Sequence, residues 1–286
     1  MRIKLIAFDS MGVRSMATFV ETSEGTFLID PGAALAPRRY GLPPHEEELK
    51  VLREKLNAIY DYVKESDYLI ISHYHRDHYP YRFGEEEYYA GKNLFIKHPQ
   101  AFINPSQRIR AYVLLEKMNV KTRAKSIVYA DSASIKIGRV SLEFSPPLSH
   151  GQCGTGLGWV LATSVIEDGL TLIHASDIQG CLCQDSLNHL MSKKPDFLIM
   201  SGPPTYLGEA QEGFTNLEKL LKNIVHNTVL ILDHHLLRDL YYRRYFEKLE
   251  KLNMKVKITT AAEFMGEEVR LLEANRKNLW ESLNRE

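Results

Sequence analysis

Cysteine is scarce in this chain of 286 residues: Cys153, Cys181 and Cys183 are all there are. So few thiols, in an odd number, exclude a small disulfide-stapled scaffold and fit reduced cysteines. The Cys181-Leu182-Cys183 spacing is weak as a metal motif and reads as ordinary structural thiols. An excess of either charge is also lacking, since 36 basic residues balance 36 acidic ones. Bulk electrostatics therefore call for neither nucleic acid nor an anionic membrane, although a local basic patch is left open. No apolar run is long enough to span a bilayer, and Met1 to Leu5 alternates like a strand rather than a leader. These absences place the chain in the cytoplasm with no membrane partner. Nor is there a linker, a repeat or a low-complexity tract, so residues 1–286 are expected to form a single domain. With 44% hydrophobic and 25% charged residues, the chain has the composition of a globular protein able to bury a substantial core.

What the chain has is histidine and aspartate, concentrated in one place. The run Ile70-Ile71-Ser72-His73-Tyr74-His75-Arg76-Asp77-His78 puts four metal-ligating side chains within six positions. It follows the short apolar strand Tyr68 to Ile71, and a loop at the end of a rigid strand holds ligands in place. Imidazole with carboxylate suits zinc, iron(II) or manganese. In an extended segment His73 and His75 point the same way and can grip one ion. Asp77 and His78 are adjacent and serve a second ion more naturally.

Periodicity supplies the surrounding elements. Alternation at Ile3, Leu5 and Ala7 predicts a first strand, and Asp9-Ser10-Met11-Gly12 a turn. Residues 17–22 and 26–30 predict a hairpin closed by Pro31-Gly32. Glu46 to Lys64 carries Leu49, Val51, Leu52, Leu56, Ile59, Tyr60 and Val63 at helical spacing, a helix that should cover the sheet. Tyr79 to Tyr89 is aromatic and acidic, placed either to line the pocket or to pack as an aromatic loop. Ile103 to Arg110 leads into a helix from about Ala111 to Met118; its polar groups, Arg108 and Arg110 either bind an anion or merely cap the helix and face water. Strands are expected at 94–96, 126–129, 140–144, 159–165, 170–174, 195–200, 228–233 and 256–258. Further helices are expected at 185–193, 214–224 and 261–283, the last with Leu271, Leu272, Leu279 and Trp280 on one stripe.

The HxHxDH run resembles the signature of metallo-β-lactamase-fold hydrolases. That resemblance implies an α/β four-layer αββα sandwich whose two sheets face each other, with the metal site at their shared end. It also implies three more ligands. His150, in Ser145-Pro146-Pro147-Leu148-Ser149-His150-Gly151, matches the third-ligand position. Asp177, ending a strand, matches the bridging carboxylate. His234, after Leu230-Ile231-Leu232-Asp233, repeats the form of His73 after Leu69-Ile70-Ile71-Ser72 and is favoured as the final ligand, with His235 left open and a candidate for substrate contact. Asp30, in Ile29-Asp30-Pro31-Gly32, is similar to an aspartate beneath the site that holds loops rather than metal. His174, on its strand, reads as a core or supporting residue.

The first of two divalent ions would then take His73, His75 and His150, and the second Asp77, His78 and His234, with Asp177 between them. Zinc is expected, iron or manganese being the alternatives. Two ions roughly 3.5 to 4 Å apart hold a solvent whose pKa falls from about 15.7 to around 7. The implied function is a metal-dependent hydrolase using that bridging hydroxide on an ester-type bond, a phosphodiester slightly ahead of a lactone or thioester. Asp77, Asp177 and His235 are the candidate catalytic groups. An iron-dependent redox enzyme and a non-catalytic binding module are the competing classes. The runs Asn-Pro-Ser-Gln-Arg, Gly-Pro-Pro-Thr-Tyr and Asp-His-His-Leu-Leu-Arg-Asp look similar to an archaeal group of predicted metal-dependent hydrolases, which supplies no substrate. The partner implied is a small molecule or phosphoester.

Overall fold

A computed structural model describes residues 1–208 and 210–283. Six strands form the first sheet in chain order: β1 (Arg2–Phe8), β2 (Met16–Thr22), β3 (Gly25–Ile29), β4 (Tyr68–Ile71), β5 (Asn93–Ile96) and β6 (Ser126–Tyr129). The first three are antiparallel and the last three add in parallel. The second sheet draws on β7 (Ser134–Ile137), β8 (Val140–Phe144), β11 (Thr163–Glu167), β12 (Leu170–His174), β13 (Phe197–Ser201), β14 (Thr228–Asp233) and β15 (Val256–Thr259). Its order is β15-β14-β13-β12-β11-β8-β7. A two-stranded ladder of β9 (Leu148–Ser149) and β10 (Trp159–Val160) stands apart.

The period-2 alternation of each strand decides what it packs against. In β4, Ile70 joins Phe8, Met16, Val20, Ile29 and Phe95 against Leu142, Phe144, Val165, Leu172, Ile199 and Ile231 of the other sheet. Leu69 and Ile71 point the opposite way, onto Val51, Ile59 and Val63 of α1 (Glu46–Glu65) and onto the helical stretch of α2 (Pro105–Tyr112), the π-turn 113–117 and α3 (Val120–Arg123). The outer face of the second sheet is covered by α4 (Gln184–Met191), α5 (Gln211–Asn223) and α6 (Arg243–Glu250). The layers run helix, sheet, sheet, helix, as the resemblance implied. Among the described residues no helix is long and apolar enough to cross a membrane.

Several expectations need correction. The helix expected from Ala111 begins at Pro105, because Asn104 accepts a hydrogen bond from Gln107 N and Pro sits at the first helical position. The strand expected over 159–165 breaks at Leu161 and Ala162, whose N–H groups leave the ladder for Ser72 O at 3.0 Å and Ser145 Oγ at 2.9 Å. Strand β7 was not expected; it is a short edge with alternating exposure. The single C-terminal helix is two, α7 (Ala261–Phe264) and α8 (Leu272–Leu283), separated by a segment that includes left-handed Gly266. Leu49 lies on the solvent side of α1, 40% exposed.

The reduced-thiol expectation fails for two of three cysteines. Cys153 and Cys183 form a disulfide across 30 residues, with Cα atoms 4.9 Å apart, while Cys181 stays a buried free thiol. Sequence spacing could not show this, because folding alone brings the loop after His150 against the segment after Asp177. Closing a loop of this length is worth roughly 3–4 kcal/mol in the chain-entropy account. Reduction should therefore lower the denaturant midpoint in proportion; an unchanged midpoint after verified reduction would show that the bond constrains nothing.

Candidate metal centre

The strand ends at one edge of the sandwich deliver the site. β4 ends into His73, His75, Asp77 and His78; β9 ends into His150; β12 runs out through Ser176 to Asp177; β14 runs out to His234 and His235. Gly32, after β3, packs so closely that an added Cβ would lie 2.2 Å from Tyr79 N, and this contact seats the backbone that carries His78. Asp30, Ser176, Gln179 and His234 all adopt left-handed φ of 51° to 56°. Strained backbone is held where packing over-determines it, and here it gathers around one cluster.

Asp177 is the hub. Its Oδ2 lies 3.0 Å from His150 Nε2, 3.3 Å from His78 Nε2 and 3.7 Å from His73 Nε2, and its Oδ1 lies 3.2 Å from His234 Nε2. Donor atoms of His73, His75, His150 and Asp177 lie within 4.8 Å of one another, as do those of Asp77, His78 and His234. They contain the two sets the resemblance implied, brought together from segments up to 161 positions apart. Asp177, His234 and His235 form a further such set. His235 lies farther from Asp177 than His234 does, with Nε2 3.6 Å from its Oδ2 and 3.3 Å from Gln179 Nε2. His234 is the neighbour that meets both Asp77, at 3.7 Å, and Asp177.

Four buried atoms here, His73 Nε2, His78 Nε2, His150 Nδ1 and Asp177 Oδ1, have no hydrogen-bond partner among the described residues. Buried polar atoms are almost always satisfied, so a group of orphans in one cluster suits a divalent cation. The donor set of imidazoles and carboxylates fits such ions.

Supporting contacts orient the imidazoles. Asp30 Oδ2 lies 2.8 Å from His78 Nδ1 and accepts from Ser72 Oγ at 2.7 Å and Ser176 Oγ at 3.0 Å. His234 Nδ1 meets Asp9 Oδ2 at 2.5 Å, and Arg238 Nε donates to Asp9 Oδ1 at 2.7 Å. His174 is buried with Nε2 3.0 Å from Met16 O, outside the cluster, as expected.

Burial opposes charge on all these groups, and neighbours decide which keep it. His73 lies well below its ordinary value through burial and the nearby His78, His75 and His150; His75 is pushed down to about 3, chiefly by burial. For His78 and His234 burial also acts downward, but carboxylates win. Asp30, Asp177 and Asp77 hold His78 well above its usual value, and Asp177 with Asp9 raises His234 to about 9. Asp77 and Asp177 are held low by the histidines despite burial. His235 is lowered by burial and by Arg238.

The cluster opens into a cleft of about 480 Å³ whose walls include Arg14, Arg76, Tyr81, Arg110, Tyr206 and Arg238. The loop Ser201 to Tyr206 thus reaches the pocket. Of the aromatic stretch after His78, Tyr81 lines the cleft, while Tyr79 and Tyr89 pack inward and Tyr88 stacks on Tyr60.

Comparison with known proteins fits this geometry. The profile of the Metallo-beta-lactamase superfamily matches residues 11–79. A UPF0282 protein of Methanocaldococcus jannaschii is 46% identical, across 98% of this chain and 96% of its own. The chain belongs to the UPF0282 family. A UPF0282 protein of Thermococcus kodakarensis is 44% identical over 98% of this chain and 95% of its own. Unliganded yeast PDE1 shares the fold with a TM-score of 0.55 at 12% identity, covering 90% of this chain and 96% of that one. Tm1679, described as a metal-dependent hydrolase of the beta-lactamase superfamily, gives 0.51 at 12%, covering 91% and 96%.

In this UPF0282 chain the sequence reading missed Asp9, Arg238, Ser176 and Gln179. A signal for Asp9 existed. A strand of large apolar residues closed by aspartate recurs at Phe8-Asp9, Ile29-Asp30 and Leu232-Asp233, and Asp177 lies three residues beyond the end of β12.

Proposed function

We propose that the chain, acting as one domain over residues 1–286, is a binuclear metal-dependent hydrolase of ester-type bonds, with a phosphodiester ahead of a lactone or thioester. His73, His75 and His150 would hold one ion, Asp77, His78 and His234 the other, and Asp177 both. Bound divalent ions, zinc first among them, supply an acidified water and polarise the electrophile. The supporting observation is the group of unpartnered buried atoms around Asp177. The chain's own groups do the rest. Asp77 and Asp177 stay ionised beside the reacting bond and can take a proton. His235, kept neutral, with Nδ1 2.9 Å from the Tyr206 hydroxyl, orients substrate by a hydrogen bond rather than acting as an acid. The arginines along the cleft favour the charge of a phosphorus ester over a neutral carbonyl ester.

Metal ligation requires neutral imidazole, so the protons on His78 and His234 must leave. Titrating metal-free protein with zinc at pH 7, in buffers of different ionisation enthalpy, should show two ions bound and net proton release, with affinity rising from pH 7 to 9. The loaded protein should turn over bis-p-nitrophenyl phosphate or, failing that, a lactone or thioester. Retention of no metal would defeat the proposal, and so would inactivity of the loaded protein on all three classes.

A further inference from the structure

The cleft carries four guanidinium groups, and they differ in what balances them. Arg14 is committed to Glu273 through two 2.6 Å hydrogen bonds, and Arg238 to Asp9 at 2.7 Å. Among the described residues, Arg76 and Arg110 have no carboxylate within ion-pair distance. Arg110, in the last turn of α2, donates Nη1 to the Tyr74 carbonyl at 3.2 Å, which ties its head beside the loop carrying His75. Arg76 stands between His75 and Asp77 in sequence and lies over the Tyr81 ring at 5.0 Å, with Arg82 also over that ring at 4.7 Å. Most of the five N–H donors on each guanidinium are therefore left for a ligand.

Arg76 and Arg110 also mark a junction. Together with Tyr81 they line both the metal-side cleft and a smaller recess of about 110 Å³ floored by Val113, Leu114 and Met118. A reacting ester placed among the histidines would leave this side of the cleft for another part of the same molecule. Two unneutralised guanidiniums on that path match a second negative group, and phosphate suits them best because it accepts from both at once. The cleft volume falls in the small-molecule range.

We propose that Arg76 and Arg110 form a phosphate subsite, so that the substrate is a small molecule bearing a non-reacting phosphate besides the bond that is cleaved. The subsite rests on the hydrolase reading for its place in a reaction, but its anion binding can be measured without turnover.

Inorganic pyrophosphate is the probe, titrated into full-length protein at 0.15 M salt, both metal-loaded and after chelation so that metal cannot be the ligand. Wild-type chelated protein should bind it, and Arg76→Gln/Arg110→Gln should weaken binding at least tenfold while retaining the wild-type metal content when loaded. Arg76→Lys/Arg110→Lys, which keeps the charge but loses the fork, should fall between the two. Equal affinity in wild type and the Gln pair, or no binding by chelated wild type, would overturn the subsite. Tighter binding of a short single-stranded oligonucleotide than of pyrophosphate would overturn the small-molecule assignment. Failure of the hydrolase reading would appear separately, as absent metal or absent turnover with pyrophosphate binding intact.

Discussion

Asp177→Ala should strip the protein of metal and, with it, of turnover. No other carboxylate in the cluster lies within 4 Å of His73, His78, His150, His234 and His235 together. On the proposed assignment it is the one ligand common to both ions, so its loss removes a negative charge from two sites at once. Replacing residues that merely orient ligands costs 10- to 100-fold in metal affinity, and a shared ligand should cost roughly 100-fold or more. Asp77→Ala should act in the same direction on the second site alone. His235→Ala, which removes no assigned ligand, should keep both ions. Metal analysis by mass spectrometry alongside turnover separates the three variants. Wild-type metal content in Asp177→Ala would end the binuclear assignment.

The largest expected stability effect lies away from the site. Arg276 is wholly buried in α8 and donates Nε and Nη2 to the two carboxylate oxygens of Glu48, each at 2.8 Å, and Nη1 to the carbonyls of Ala36 and Leu42 at 3.0 and 3.2 Å. Glu48 is also buried and closes the capping box of α1 with His45. The pair fastens the C-terminal helix to the start of α1 and to the connector before it. Arg276→Met leaves a carboxylate buried without its partner, which costs roughly 3–5 kcal/mol. The double variant Arg276→Met/Glu48→Leu should recover much of that loss, since two apolar groups leave no orphaned charge. Denaturant midpoints of the two variants decide the point, and a single variant within about 1 kcal/mol of wild type would contradict it.

This pair illustrates what could not be read ahead of folding. Glu48 and Arg276 each looked like an ordinary charged residue on a helix, and a sequence separation of 228 hides their contact. The Cys153–Cys183 bond was hidden in the same way. So was Asp9, which seemed only to begin a turn, yet its carboxylate meets both His234 and Arg238.

By itself the sequence determined the strand and helix periods, while the order of the layers came from the resemblance. It also determined the cluster His73, His75, Asp77 and His78, because ligands within six positions of one loop need no tertiary contact to be near one another. Resemblance to a known pattern, rather than spacing, pointed to His150, Asp177 and His234. Only the tertiary structure decided that the other six gather around the Asp177 carboxylate, that His234 rather than His235 meets Asp77, and that Arg76 and Arg110 have no carboxylate within ion-pair distance among the described residues. The physical reason is that periodicity is a property of neighbours along the chain. Charge balance, burial and orphaned donors belong to neighbours in space, and those exist only once the two sheets have closed on each other.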